Sequence, residues 1–173
     1  MEPWQKLGER VAYDGFRRVL SRRFRLPTAE TFDFEVKDER DVVTVLPLTR
    51  DEQVVLVRQF RVGPEEVLLE LPGGALSPGE PPDEGARREL LEETGYEGQL
   101  RPVGAVLHCA YSTRSSYVFV ARGCEQVASP QPSSGEVVEV TLLALPAFRD
   151  HLRSGRLTDV AAGYLGLDAL NLL

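Results

Sequence analysis

Residues 73–96 read GGALSPGEPPDEGARRELLEETGY, a glycine-rich loop followed by a short helical segment and a glycine stop. Pro81 and Pro82 suit the first turn of a helix, because the N–H that proline lacks would have no helical partner there. Gly95 stands where a left-handed C-terminal cap is expected. We predict a helix of about three turns, which packing must hold because isolated helices of that length are marginal.

The predicted helix carries three glutamates close together. At about 100° per residue, Glu89, Glu92 and Glu93 fall within about 100° of one another. Carboxylates at spacings of three and four repel each other by a few tenths of a kcal/mol, and a cation between them removes that cost. Their oxygens suit Mg²⁺ or Mn²⁺. The alternative is a solvated acidic helix face, which is the usual state of a charge run. A separate arc of the helix would face the core: Ala86, Leu90 and Leu91.

The spacing of this stretch resembles the signature of the Nudix hydrolases. Five residues separate Gly74 from Glu80, and seven more separate Glu80 from Arg88. A match at nine specified positions is far stronger than a lone glycine motif. The matching positions are Gly74, Glu80, Arg88, Glu89, Leu90, Glu92, Glu93, Gly95 and Tyr96.

The flanking sequence resembles ADP-ribose pyrophosphatases and related nucleotide-sugar hydrolases within that family. The similar stretches are RQFR at 58–61, LELPGG at 69–74, the strand at 136–140 and the tail at 152–159. The resemblance implies an α/β fold, the Nudix α/β/α sandwich with a mixed sheet, preceded by a small N-terminal antiparallel β-sheet. It also implies a homodimer, because these enzymes use such a sheet at a subunit interface.

The resemblance assigns roles to the glutamates of the helix. Glu89 and Glu93 would be metal ligands, with Glu92 a further ligand or a water-orienting carboxylate. The main-chain carbonyl of Gly73 would complete the ligand set.

Four other residues would have structural roles in the motif. Arg88 is an i,i+4 partner of Glu92 and can reach back to Glu80, so the arginine and Glu80 would brace the loop against the helix. Gly74 and Gly95 would shape the loop and the helix end.

The general base is open. By resemblance it would be a glutamate from the loop before the last strand, where Glu136 is the acidic residue. Glu136 could equally be a surface glutamate at a strand edge, and Glu92 or Glu93 could serve instead.

The substrate contacts are also open. Arg58 and Glu70 are candidate substrate-binding residues, although they could instead form a structural ion pair. ADP-ribose pyrophosphatases usually carry a Ser-Pro-Gly turn after the box, whereas residues 110–116 here read AYSTRSS. In this loop Tyr111 could stack on a base and Arg114 could meet a phosphate, or both could be ordinary loop residues.

The implied reaction is attack of water on a P–O–P bond, with a bound Mg²⁺ or Mn²⁺ activating the water. A nucleoside diphosphate linked to a sugar would give two monophosphates, which for ADP-ribose are AMP and ribose 5-phosphate. One alternative is a pyrophosphohydrolase of nucleoside triphosphates or oxidised nucleotides, which the N-terminal sheet disfavours. Another is a non-catalytic nucleotide-sensing module, which the complete set of box carboxylates disfavours.

The composition of the whole chain limits which partners and which cell compartment we expect. Its 173 residues carry a net charge of −7, which argues against nucleic acid as a partner. No apolar run approaches about 18 residues, so we expect no membrane partner. Cys109 and Cys124 have no metal-ligand spacing, and we interpret them as reduced core residues of a cytoplasmic protein.

Alternating apolar and polar residues predict a β-sheet subdomain at 1–38, with a hairpin turn at Asp14-Gly15. The resemblance implies that residues 39–173 form the Nudix hydrolase domain. An arginine cluster at 17–25 is either a solvated sheet face, or a subunit contact or phosphate-steering surface. In the larger part we predict strands at 42–48, 53–60, 67–71, 105–110, 116–122 and 137–145, a helix at 146–153, and a last helix capped by Thr158.

Overall fold

The computed structural model describes residues 1–131, 135 and 137–173, which form two compact units. The N-terminal unit contains Met1–Asp41 together with Leu107–Ser115. The larger unit contains Val42–Val106 and Ser116–Leu173. The predicted boundary after residue 38 lies near the end of the first segment, and the sequence pattern gives no sign that 107–115 belongs with it.

The N-terminal unit is built on a three-stranded antiparallel sheet. Its strands follow chain order: β1 (Gln5–Asp14), β2 (Arg18–Arg25) and β3 (Thr31–Asp38). The turn between β1 and β2 lies at residues 15–17, as the Asp14-Gly15 pair predicts. Four arginines of the predicted basic cluster pair with carboxylates of the same unit: Arg17 with Glu39, Arg18 with Asp38, Arg22 with Glu9 and Arg23 with Asp33.

The larger unit contains a seven-stranded mixed sheet. The main path runs β10-β5-β4-β9-β8, with β6 beside β5 and β7 beside β4. β4 and β9 are parallel, and β4 is antiparallel to both β5 and β7. The strands are β4 (Val42–Thr49), β5 (Gln53–Arg61), β6 (Glu66–Glu70), β7 (Gly73–Ala75), β8 (Tyr96–Leu107), β9 (Ser115–Gln126) and β10 (Val138–Ala144).

Helices cover both faces of this sheet. The helices are α1 (Pro82–Thr94), α2 (Leu145–Ser154) and α3 (Val160–Ala169). Successive side chains of a strand point to opposite faces, so β4 contributes to two cores. Val43 and Val45 pack in one core with Leu90 of α1, and Leu46 packs in the other with Phe148 of α2. The predicted α/β/α sandwich is confirmed.

Three details differ from the prediction. Residues 73–75 form β7 rather than a loop, because Gly73 lacks the Cβ that would press against the Val43 carbonyl oxygen. β8 begins at Tyr96, nine residues before the predicted strand. The cap residue of α3 is Asp159 rather than Thr158. The Thr158 N–H donates to Oε1 of Glu70 at 3.2 Å.

The two cysteines are both free but lie in different surroundings. Cys124 is buried as predicted, and burial raises its pKa to about 11. The prediction is wrong for Cys109, which is exposed because it lies in the polar segment 107–115. In the described part of the chain, no helix is both long and apolar enough to span a membrane.

Candidate active site

Helix α1 is fixed at both ends by the residues that the sequence indicates. Pro81 is the N-cap and Pro82 the first helical residue. Gly95 adopts the left-handed conformation, with φ of 74°, and its N–H donates to the Leu91 carbonyl at 2.7 Å. Leu90 is only 1% exposed and anchors the middle of the helix on the sheet. These contacts hold the acidic residues of α1 against β7.

Glu93 is the buried member of the acidic group. Its side chain lies on β7, where the Gly73 N–H donates to Oε2 at 2.9 Å. The residue is 4% exposed. A buried carboxylate is costly unless it is hydrogen-bonded, so the contact with the Gly73 backbone fixes the position of Glu93.

Glu89 lies against the next residue of β7. A Cβ built on Gly74 would be 2.6 Å from the carboxylate carbon of Glu89 and 2.7 Å from its Oε2. Only glycine leaves room for the carboxylate at this place. The backbone of Gly73 and Gly74 therefore brings two helix carboxylates, those of Glu89 and Glu93, to one short strand.

Arg88 joins three carboxylates on the other side of this group. Its Nε and Nη2 donate to the two oxygens of Glu80 at 2.7 and 2.9 Å. Its Nη1 donates to Glu89 at 2.8 Å and to Glu92 at 3.1 Å. The predicted contact of Arg88 with Glu80 across the loop is thus present.

The same contacts shift two pKa values. Hydrogen bonds from Arg88 and from the Ser77 N–H lower the pKa of Glu80 to about 2. Hydrogen bonds to Glu80, followed by those to Glu89 and Glu92, raise the pKa of Arg88. Both groups stay charged at neutral pH, and the loop before α1 is held to the helix by a charged clamp.

The donor chemistry of this group fits a hard divalent cation. Carboxylate oxygens, with a main-chain carbonyl, are the ligands that Mg²⁺ and Mn²⁺ prefer. Among the described residues no three His, Cys, Asp or Glu side chains form a closed ligand group. Instead Glu89 and Glu92 meet at a cationic nitrogen of Arg88, and Glu89 and Glu93 meet at β7. The residues present could supply part of a coordination shell and leave positions for a phosphorylated ligand.

Comparison with known protein families identifies the family of a chain with this arrangement of residues. A family model described as NUDIX domain matches residues 38–159, well over half of the chain. The chain belongs to the Nudix hydrolase family. The family resemblance predicted from the sequence is confirmed, and Nudix hydrolases generally need divalent metal ions.

The relatives that match this chain are described by different functions. The chain is 39% identical over 123 residues to an ADP-ribose pyrophosphatase of Bacillus subtilis (strain 168), covering 68% of this chain and 66% of that protein. It is 28% identical over 149 residues to a methanol dehydrogenase activator of Bacillus methanolicus, covering 82% of this chain and 80% of that protein. A crystal structure of an ADP compounds hydrolase superposes with a TM-score of 0.82 at 20% identity, covering 100% of this chain and 98% of that one. That likeness confirms the fold.

The alternative pairing of Arg58 with Glu70 is not formed, for a reason of strand register. Arg58 of β5 lies opposite Leu69 of β6, and Val57 lies opposite Glu70. Directly opposed residues share a face, so Arg58 and Glu70 point to opposite faces of the sheet. Arg58 lies 3.5 Å from Glu139 instead, and this pair is exposed.

Glu70 is buried and held by a residue that sequence reasoning missed. Arg61 donates from Nε to Oε2 of Glu70, which is 1% exposed. Arg61 and Val57 are four positions apart on β5 and therefore share the face on which Glu70 lies. Arg61 is an even number of positions from Val57, and this spacing is the sequence signal for the ion pair. The signal identifies Arg61 as the partner of Glu70 only when the β5–β6 register is known.

Tyr111 and Arg114 belong to the N-terminal unit. Tyr111 is exposed, and its carbonyl accepts from the Lys37 N–H at 2.8 Å. Arg114 donates from Nη2 to Oε1 of Glu39 at 3.2 Å, while its buried Nε has no partner among the described residues. Sequence reasoning missed Glu39, which also accepts from Ser112 at 2.8 Å. Burial acts most strongly on the pKa of Glu39 and raises it, but Ser112, Arg114 and Lys37 together outweigh burial and lower that pKa.

Glu136, the candidate general base, lies outside the described residues. Its role stays a prediction.

Proposed function

We propose that this chain hydrolyses the pyrophosphate bond of an ADP-ribose-like nucleoside diphosphate sugar and releases two monophosphates. The observation that carries the proposal is the meeting of Glu89 and Glu93 on Gly73 and Gly74, with Arg88 clamped to Glu80 beside them. The substrate class is supported by the name of the Bacillus subtilis relative, an ADP-ribose pyrophosphatase. Two free cysteines suit an enzyme of the cytoplasm.

Mg²⁺ or Mn²⁺ would be held by Glu89 and Glu93 with the carbonyl of Gly73, and Glu92 would orient the attacking water. When bound, such an ion lowers the pKa of water and neutralises charge on phosphoryl oxygens.

The protein groups would then position the reactants. Glu93 is buried and fixed by the Gly73 N–H, so it is suited to ligation rather than to proton transfer. The side chain of Glu92 is 37% exposed and accepts from Arg88 through Oε2. Its Oε1 is the atom we propose as proton acceptor among the described residues, with Glu136 as the alternative base. Arg58, half exposed beside Glu139, would contact the diphosphate by a charge-assisted hydrogen bond.

The three remaining candidate substrate contacts, Glu70, Tyr111 and Arg114, differ in how deeply they are buried. Glu70 is covered by Arg61, so its contribution to substrate binding would be to hold β6 in place ahead of the glycines. Tyr111 is exposed and offers an aromatic face for stacking on a base. Arg114 would act through the loop that it shares with Glu39.

A hydrolysis panel tests the proposal. The panel contains ADP-ribose, ADP-glucose, GDP-mannose, NADH and dGTP, each with Mg²⁺ and with Mn²⁺, and products are separated by chromatography. We expect AMP and ribose 5-phosphate from ADP-ribose and no product when a chelator replaces the metal. Pyrophosphate with dGMP as the main products would move the chain to the triphosphate pyrophosphohydrolases. Tight nucleotide binding without any turnover would make it a sensing module.

A further inference from the structure

A pocket of about 530 Å³ on the larger unit has none of the acidic residues of α1 among its lining residues. Its volume falls within the range of ligand sites, about 300–1,000 Å³. The charged and amide side chains that line it are Arg50, Arg87, Arg122, Glu97, Gln99 and Glu125. None of them has a part in the chemistry proposed above.

Two of the three arginines in this pocket have no ion pair in the described part of the chain. Arg50 is neutralised by Glu125 at 2.8 Å, and both side chains are largely exposed. Arg87 and Arg122 are exposed, and neither has a carboxylate within 4.0 Å or a side-chain hydrogen bond among the described residues. The pocket carries three guanidinium groups against the two carboxylates of Glu97 and Glu125. In a chain of net charge −7, this local excess of positive charge makes the pocket a site for an anion.

Arg87 belongs to this pocket and not to the acidic group beside it. Adjacent helix residues do not face each other, so Arg87 and Arg88 project in different directions. Arg88 is occupied by Glu80, Glu89 and Glu92. A ligand at Arg87 would therefore bind without competing for the oxygen ligands of the proposed metal site.

The pocket also offers groups that can bind hydroxyls. Glu97 and Gln99 are two positions apart on β8 and so lie on one face of the strand. A carboxylate accepts hydrogen bonds from hydroxyl groups, and an amide both accepts and donates. Guanidinium groups form forked hydrogen bonds with phosphate oxygens. A ligand that combines a phosphate with several hydroxyls, a sugar phosphate, matches both kinds of group.

We propose that this pocket, named here the arginine pocket and defined by Arg87, Arg122, Glu97 and Gln99, binds a sugar phosphate. The phosphate contacts Arg87 and Arg122, and the sugar hydroxyls contact Glu97 and Gln99. The site is a second ligand site, separate from the hydrolytic one.

The test is calorimetric titration of the full chain with three probes in a chelating buffer: ribose 5-phosphate, inorganic phosphate and ribose. Without divalent metal and without turnover, the readout does not depend on the hydrolytic activity. We expect saturable binding of ribose 5-phosphate, about tenfold or more tighter than that of phosphate or ribose alone. Equal affinity for inorganic phosphate would overturn the sugar assignment, and no saturable binding up to about 10 mM would overturn the site.

Variants locate the site. Arg87→Gln and Arg122→Gln should each weaken ribose 5-phosphate binding about tenfold, since each removes a charge-assisted hydrogen bond. Gln99→Ala should weaken ribose 5-phosphate and leave inorganic phosphate unchanged, because it removes a partner for hydroxyls without changing the charge of the pocket. Arg153→Gln is the matched control, because Arg153 is an exposed arginine of the same unit paired with Asp150 outside the pocket. Unchanged binding in both Arg87→Gln and Arg122→Gln would contradict the proposal. Arg87 and Arg122 are exposed, so Arg87→Gln and Arg122→Gln should have the melting temperature of the wild type.

Discussion

At the scale of single residues, Gly73 and Gly74 are neighbours whose missing side chains would meet different groups. A Cβ on Gly74 would meet the end of a flexible side chain, the carboxylate of Glu89. The glutamate can swing aside, so Gly74→Ala should fold and melt near the wild type. The displaced carboxylate should lower turnover of ADP-ribose about 100-fold, the scale expected for a misplacement of about 1 Å in a catalytic group. Melting curves and steady-state rates check both halves.

Gly73→Ala is the contrasting variant. Its Cβ would press on the Val43 carbonyl oxygen and lie 3.0 Å from the Thr44 Cα, and backbone atoms cannot move aside without opening the β4–β7 pair. We expect a loss of about 1–3 kcal/mol in the free energy of unfolding, measured by urea titration. Gly104→Ala on β8 is the control, since nothing lies within 4 Å of its Cβ. If Gly73→Ala were as stable as Gly104→Ala, the close approach of β7 to β4 would be wrong.

The clamp between Glu80 and Arg88 predicts a pH dependence of stability. The pKa of Glu80 falls from 4.5 to about 2 on folding, first because of Arg88 and then because of the Ser77 N–H. A lowered folded-state pKa means that the ionised group stabilises the fold above the unfolded pKa, and that this contribution is lost as the pH falls toward the folded pKa. Glu80→Gln should therefore be less stable than the wild type at pH 7, and the difference should shrink between about pH 4.5 and 2.

Urea titrations at several pH values measure that difference. The exposed Glu2→Gln serves as control and should match the wild type throughout. A gap between wild type and Glu80→Gln that stayed constant down to about pH 2 would exclude the clamp as its source.

Residue contacts could be predicted from the sequence only where they are local. The contact of Arg88 with Glu80 and Glu92 follows from helix spacing and a tight loop, and it is present. The partner of Glu70 depends on which residue of β5 faces β6, and a shift of one residue reverses every face. That register is a tertiary fact, so the sequence left Arg58 as the alternative partner where the structure has Arg61.

At the scale of elements, α1 was predicted at both ends because its caps are local signals. Gly95 combines φ of 74° with a crowded position, where a Cβ would lie 2.9 Å from the carbonyl carbon of Ala128. Gly155 ends α2 with φ of 67° and has nothing within 4 Å of its Cβ. Both alanine variants should lose about 1–2 kcal/mol to the left-handed backbone, and Gly95→Ala should lose more because of the clash. Equal losses in urea titrations would show that the contact with Ala128 does not restrain the helix end.

The sequence does not predict β7 or the first half of β8, because neither segment has a strong alternation of apolar and polar residues. The first half of β8 contains Gly98 and Pro102, both of which are depleted in strands, and β7 consists of two glycines and an alanine. β7 forms because a strand without side chains can lie close to β4. Its existence depends on the partner strand, which no local pattern encodes.

At the scale of the whole molecule, the sandwich is what the resemblance of residues 73–96 to the Nudix signature implies, whereas the quaternary structure is a prediction. Every residue of β1 is exposed, and among the described residues β1 pairs with β2 alone. A long open edge on a small sheet invites pairing with another chain. We predict a homodimer, with a mass by light scattering of twice the 19.2 kDa of one chain. A monomer mass at micromolar protein would contradict it, and Val11→Lys in β1 should shift the wild-type dimer toward monomer.

The most direct test of the proposed hydrolysis compares the turnover of ADP-ribose by the Glu93→Gln variant with that by the Glu84→Gln variant. Both glutamates belong to α1, but Glu93 is buried on the Gly73 N–H and Glu84 is exposed in the first turn. We predict that Glu93→Gln loses about 100-fold or more of kcat while still folding, since it removes a ligand charge from the proposed metal site, and that Glu84→Gln keeps the wild-type rate. Wild-type turnover in Glu93→Gln would contradict the account.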